Sequence, residues 1–335
     1  GLPRVEEWKG ETIDPAAPPS ATGGHQLKLL KTPAIWVLGL SSATMYVTRY
    51  AINSWGILYL QQEHGYSLVA AGSLNRAVYL WNTDTWAVKV FRAVHADGIS
   101  CVKFSRDGNN ILTTSLDKTV KILSSSSGSV ESTLSGHSLA VLCGVYAGPV
   151  GERIVTAGFD NTVRIWTASG QVRQMGGLTP YTYGVDVSSD GNWITAGSLS
   201  SQVITWNQDG TQLHAATEHE EGVYSVAYSK SDNNQFATGG GKGMIAVWDR
   251  KQGEVTGRLR GHKGNIRSLA YSHDGQRLAS GGTDGVINLW DLETYRKITS
   301  LKGHRNTVYS LAFSHDGNLL VSGSFDRRVN VWTLK

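Results

Sequence analysis

Histidine, a hydroxyl residue and aspartate recur together along the chain. The sets are His262, Ser280 and Asp284; His304, Ser322 and Asp326; and His137, Thr156 and Asp160. A single set of this kind would suggest acyl transfer, with the hydroxyl as nucleophile, the imidazole as base and the carboxylate orienting the imidazole. A nucleophile site occurs once per chain, whereas this constellation is complete three times and partial elsewhere. Each complete set also ends on a tryptophan at similar spacing: Trp166, Trp290 and Trp332. The expected role is therefore structural. Imidazole, hydroxyl, carboxylate and indole N–H can satisfy one another in a buried hydrogen-bond chain, tying a Gly-His loop to an Asp turn.

Other candidate chemistries fail on context. The GGGKG run at 239–243 lacks the spacing of a phosphate-binding loop and the helix that should follow it, so it reads as a strand turn. Cys101 and Cys143 occupy the place held elsewhere by Ser225, Ser268 and Ser310, a small inward position that suits core packing. Two cysteines make no disulfide framework. The sequence offers no cluster with metal-ligand spacing and no paired carboxylates, so neither a metal, a cofactor nor an enzyme is expected. A net charge of +4 without a basic stripe argues against nucleic acid as partner.

The elements that position these residues follow from composition and period. With 39 glycines, 11 tryptophans and only 17% charged residues, the chain suits many short strands joined by tight turns. Trp81, Trp166, Trp206, Trp248, Trp290 and Trp332 close similar phrases, and Leu123 holds the equivalent place in KTVKIL. The near-constant interval defines seven copies of one unit. The best preserved read GHKGNIRSLAYSHDGQRLASGGTDGVINLWD and GHRNTVYSLAFSHDGNLLVSGSFDRRVNVWT. Each contains three alternating runs, with room for a fourth before the next Gly-His.

From about residue 69 to the end, the Gly-His openings and Trp-Asp closings resemble the WD40 repeat family. The literal Trp-Asp pair stands only at Trp248-Asp249 and Trp290-Asp291. The resemblance implies an all-β fold, a seven-bladed propeller of four-stranded blades, and supports the structural role of the His, Ser/Thr, Asp and Trp set. Blade 2 carries His95, Thr113 and Asp117 but Leu123; blade 5 carries His219, Thr238 and Trp248 but Lys242 where Asp is expected. The fourth unit lacks both His and Asp. These three blades are expected to be less rigid.

A propeller holds loops on a stiff scaffold, and function on such folds resides in the loops. One position per blade lies just inside the first strand, and another precedes the Asp of the turn; both should reach the face carrying the Gly-His loops. Tyr183, Tyr224, Arg267 and Tyr309 hold the first position in four consecutive blades, with Tyr181 nearby; Phe159 and Phe325 hold the second. Tyr and Arg bury large area while keeping a polar handle. The arc is expected to bind a peptide or protein partner, against the simpler reading of ordinary loop packing.

The first seventy residues differ. Thr32 to Gln62 carries one charge, Arg49, and includes IWVLGLSSATMYV, so it qualifies as a transmembrane candidate with aromatic anchors. GLPRVEEWKGE followed by LLKTPAIWVLGLSSATMYVTRYAINSWGILYLQQEHGYSLVAAGSL resembles the central loop and seventh transmembrane helix of the major facilitator superfamily's organophosphate/sugar-phosphate:phosphate antiporters. The resemblance places Arg49 at the arginine of the family's phosphate site, without the partner arginine of the first half. One helix does not transport, so this site is expected to be inactive. With no initiator Met and no signal peptide, the chain reads as a fragment or processed piece, and as a chimaeric or fused one.

Propeller geometry adds a competing demand. The repeat spacing leaves blade 1 without an inner strand and the last blade without an outer one, and both must come from about residues 44–64. ILYLQQEHGYSLVAAGS can be laid over IRSLAYSHDGQRLASGG, with MYVTRY as the outer strand. Strand and helix both remain open for this segment. The expected organisation is an irregular, transporter-loop-like segment over 1–31, an apolar helix-like segment over 32–68 that the propeller could recruit, and the propeller over 69–335. The expected function is a non-catalytic protein-interaction scaffold in the cytoplasm. Its rival is a fragment of a sugar-phosphate antiporter with a fused propeller, membrane-associated if 32–62 inserts.

Overall fold

The structure, a computed structural model, describes residues 57–61, 68–72, 75–82, 87–148, 151–167, 170–314, 316–326 and 328–334. Alternating Val, Ile, Leu and Tyr runs form antiparallel strands, joined within each repeat by short turns. The turn between the first two strands shows the local logic. In blade 6, Gly275 adopts φ +73°, a left-handed conformation that costs glycine little, and the Asp274 carboxylate accepts the N–H of Gln276.

Six sheets have four strands, running in sequence order. Blade 1 comprises Ile57–Gln61, Leu68–Gly72, Val78–Asn82 and Val88–Phe91. Blades 2 to 6 begin with inner strands Ile99–Phe104, Val141–Ala147, Thr182–Val187, Val223–Tyr228 and Ile266–Tyr271. A last sheet has three strands, Val308–Phe313, Leu319–Ser324 and Val329–Thr333. The expectation of seven four-stranded blades is thus corrected: six blades are complete, and among the described residues nothing pairs with the outer edge of Val329–Thr333. The run Met45–Tyr50, expected to supply that strand, lies outside the described residues.

Within 44–64, where strand and helix both stood open, the structure describes only residues 57–61. Ile57–Gln61 is an extended strand paired antiparallel with Leu68–Gly72, Ile57 opposite Gly72. It packs against the inner strands of blade 2 and of the last sheet, so the inner strands form a closed ring. The β-branched and aromatic content that suits a pleated surface suits this run too. No helix among the described residues is long and apolar enough to cross a membrane.

The core lies between neighbouring sheets. Leu278 and Trp290 of blade 6 pack on Ala237, Ile245, Val247 and Leu259 of blade 5. Full burial of a Leu or Ile side chain contributes about 2 kcal/mol. At the closing seam, Ala77 and Tyr79 of blade 1 meet Val321, Val329 and Val331 of the last sheet. Middle strands such as Arg277–Gly282 are buried on both faces because sheets cover them on either side. Outer strands such as Glu254–Arg260 alternate exposed and covered.

Candidate functional site

Buried hydrogen-bond chains fix the loops. In blade 6 the His262 Nδ1 lies 3.1 Å from Asp284, and its Nε2 lies 2.8 Å from the Ser280 hydroxyl. Trp290 Nε1–H donates to the same hydroxyl at 2.8 Å. An ionised carboxylate can only accept, so Nδ1 carries the proton and Nε2 accepts from Ser280. Burial lowers the His262 pKa, against the raising effect of Asp284, which keeps this neutral tautomer at pH 7. The Lys263 N–H also donates to Asp284, at 2.9 Å.

The same arrangement stands at His304, Ser322, Asp326 and Trp332, and at His137, Thr156, Asp160 and Trp166. The carboxylates are poised as anions. Burial works to raise the pKa of Asp160 and Asp326, but the histidine bonds and the loop N–H groups hold both below the usual range. Thus each Asp joins the loop before the inner strand to the turn after the second strand, at one end of its blade.

The incomplete blades differ from one another. In blade 2, His95 bonds Thr113 and Asp117, while fully buried Leu123 fills the tryptophan's place. In blade 5, His219 Nε2 bonds Thr238 at 2.7 Å, and Trp248 donates to that hydroxyl at 2.8 Å. Lys242 turns out to Glu220 instead of facing the ring, which leaves His219 Nδ1 buried without a partner. Blade 4 is compensated from its neighbour: the Tyr228 hydroxyl of blade 5 reaches Thr195 at 2.7 Å, and Thr195 bonds Thr205 at 2.9 Å. Sequence reasoning missed this contact. The available signal was a buried-type threonine with no histidine to satisfy it.

A backbone irregularity sets the loop face. All six inner strands from blade 2 onward carry a β-bulge near their start, where one residue has no opposite partner. The extra residues are Ser100, Leu142, Tyr183, Tyr224, Arg267 and Tyr309, because the register skips each of them. A bulge kinks its strand and re-aims the side chain it carries. The strand Ile57–Gln61 has no such shift, so blade 1 adds no member to the set.

Four consecutive bulge residues are aromatic or cationic, and the first three of them touch. Tyr183 meets Tyr224 edge-on with centroids 5.5 Å apart, and Phe159 edge-on at 5.6 Å. Tyr181, 43% exposed, packs on Phe159 at 4.8 Å. The Arg267 guanidinium lies 4.1 Å over the Tyr224 ring and 5.7 Å from that of Tyr183. Tyr309 pairs edge-on with Phe325 at 6.2 Å, and Phe325 is 37% exposed. Burial raises the Tyr309 phenol, and the Arg267 charge partly opposes that shift. Five of the seven expected contact residues thus form one ring chain, with Tyr309 and Phe325 as a second pair beyond Arg267.

Cys101 and Cys143 sit on the inner strands of blades 2 and 3, their thiols directed at the carbonyls of Gly144 and Val185. No group of His, Cys, Asp and Glu among the described residues could hold a metal ion. Arg49 lies outside the described residues.

Repeated antiparallel sheets around a closed ring, four of them pinned by a His–Asp bond from loop to turn, define a β-propeller. The chain belongs to the WD40 family, described as "WD domain, G-beta repeat", whose family model matches residues 88–124, 128–167, 210–249, 253–291 and 295–333. It is similar to the ribosome biogenesis protein WDR12 homolog of Chlamydomonas reinhardtii, 33% identical over 121 residues, covering 33% of this chain and 27% of that protein. It is also similar to the membrane sensor protein UhpC of Salmonella typhimurium, 35% identical over 78 residues, covering 22% of this chain and 18% of that protein. The chain spans less than a third of the length of these curated relatives. Its fold matches a chain of a crystal structure of the mitotic checkpoint complex, with TM-score 0.76, 22% identity, and coverage of 84% of this chain and 87% of that one.

Proposed function

We propose that this chain is a non-catalytic interaction scaffold that holds a peptide or protein segment against its loop face. The observation that carries the reading is the run of bulge residues Tyr183, Tyr224, Arg267 and Tyr309, which present three tyrosines and an arginine from four neighbouring sheets. Tyr and Arg dominate interface energetics, and truncating such an anchor costs about 2 kcal/mol or more. The family membership and the relatives' propeller repeats support the same reading. Tyr224→Ala combined with Arg267→Ala is expected to empty the set of proteins recovered with the chain by affinity pull-down. An unchanged set of partners, from protein with an unchanged melting curve, would overturn the assignment.

We further propose that the segment before residue 69 is transporter-related sequence joined to the propeller, a reading with which the 78-residue likeness to a membrane sensor protein is consistent. On this reading the chain acts in the cytoplasm through its propeller and does not transport. Alkaline extraction of membranes then releases it to the soluble fraction; retention in the pellet would favour the antiporter-derived alternative.

A further inference from the structure

Among the described residues, Arg267 has no counter-ion. Its Nε is buried with no hydrogen-bond partner, and its other guanidinium nitrogens make no hydrogen bond or ion pair among the described residues. The loop carboxylates are engaged elsewhere. Asp284 is held by His262 and the Lys263 N–H, and Asp326 by His304 and the Arg305 N–H. Glu220 and Glu221 face Lys242, and Glu218 pairs with Arg258. Meanwhile the bulge at Ile266/Ser268 aims Arg267 at the loop face, and the Tyr224 ring fixes its plane from one side. Lys263 and Arg305, both exposed on the adjoining loops, add to the positive field.

A buried donor without an acceptor costs free energy, and at the loop face an acceptor arriving from outside would offset that cost. A single guanidinium is a planar fork that matches the two oxygens of one carboxylate. The rings of Tyr183, Tyr224 and Tyr309 around it would exclude water and strengthen such a pair. We infer that Arg267 is the anchor for an acidic side chain, aspartate or glutamate, on an extended peptide lying across the aromatic arc. This rests on the proposed binding face and names the chemistry that the face selects. A carboxylate is favoured over a phosphate because only one guanidinium converges on the position.

The test is selection of a random nonapeptide display library on the full 335-residue chain and on its Arg267→Met variant, which keeps the aliphatic stem. The expected result is one position fixed as Asp or Glu with the unaltered chain, and loss of that preference with the variant. A selected peptide should bind about 10- to 100-fold more weakly when its acidic residue becomes Asn or Gln, as expected for a charge-assisted hydrogen bond. The melting temperature of Arg267→Met should change little, since no hydrogen bond or ion pair is removed and only the stacking on Tyr224 is lost. Peptides enriched without an acidic position would overturn the carboxylate assignment and leave the binding face standing. Tighter binding by a phosphoserine version of the selected peptide would also overturn it, in favour of phosphate. Enrichment of no peptide at all would overturn the binding face as well.

Discussion

Ser280→Ala is expected to destabilise the propeller by about 2–4 kcal/mol, read as a shift of the urea midpoint, while Ser280→Thr changes it little. The single hydroxyl accepts from Trp290 Nε1 and donates to His262 Nε2, both at 2.8 Å. Removing it leaves an indole N–H and an imidazole nitrogen buried without partners, and each orphan costs about 1–3 kcal/mol. The cavity is small, so the polar loss dominates. Threonine is the resident at this place in other blades: Thr113, Thr156 and Thr238 make the same contact with histidine Nε2. Its hydroxyl therefore fits the geometry. A loss below about 0.5 kcal/mol in the alanine variant, or an equal loss in the threonine variant, would show that the chain of bonds does not hold the blade.

Stability is also expected to fall by about 3 kcal/mol as pH drops from about 6.5 to 4, with His219 the principal cause. Burial lowers its pKa to about 4, with Glu218 only partly opposing. Its Nδ1 has no acceptor because Lys242 stands where four of the sheets place Asp117, Asp160, Asp284 and Asp326. In the unfolded chain the same imidazole titrates near ~6.5. Between the two values the unfolded state binds the proton and the folded state does not. The stabilisation is therefore complete above the unfolded pKa and lost as pH falls through the folded one. His95 and His262, also lowered by burial, act in the same direction. Below about pH 4 the aspartates follow: against burial, bonds from Thr119 and the Ala96 N–H hold Asp117 down to about 2, so its contribution fades as it protonates. Urea titrations of the unaltered chain and of His219→Gln at pH 7 and 4.5 separate these effects. The gap between the two proteins should narrow or reverse at the lower pH, and parallel losses would remove His219 from the account.

Much of the molecule was legible in the sequence because a blade is a local object. Its strands are consecutive, its turns take Asp and Gly at fixed offsets, and a period of about 42 residues repeats the pattern. The three His, Ser/Thr, Asp and Trp sets could be located by alignment alone, and recurrence argued against a catalytic reading. The arc residues were also placed by position within the unit. The reason for their placement was not legible: a bulge depends on how one strand registers against the next, and nothing in the IRSLAYS run marks Arg267 as the skipped residue.

Contacts between sheets were beyond the sequence for the same reason. Tyr228 satisfies Thr195 across a blade boundary, and Arg250 stacks 3.8 Å over Trp193 across that same boundary. Neither pair is close in the chain. The run ILYLQ illustrates the limit best, since its composition fits a membrane helix and a buried strand equally well. Only the open inner edge of Leu68–Gly72, presented by a ring in need of closure, selects the strand. The sequence by itself determined the repeat, the all-β class and the residues that pin each loop, because those follow from periodicity and pairing within one unit. The tertiary structure alone decided six complete blades rather than seven, the capture of Ile57–Gln61 and the unpartnered Arg267, because each depends on which surfaces meet once the ring has formed.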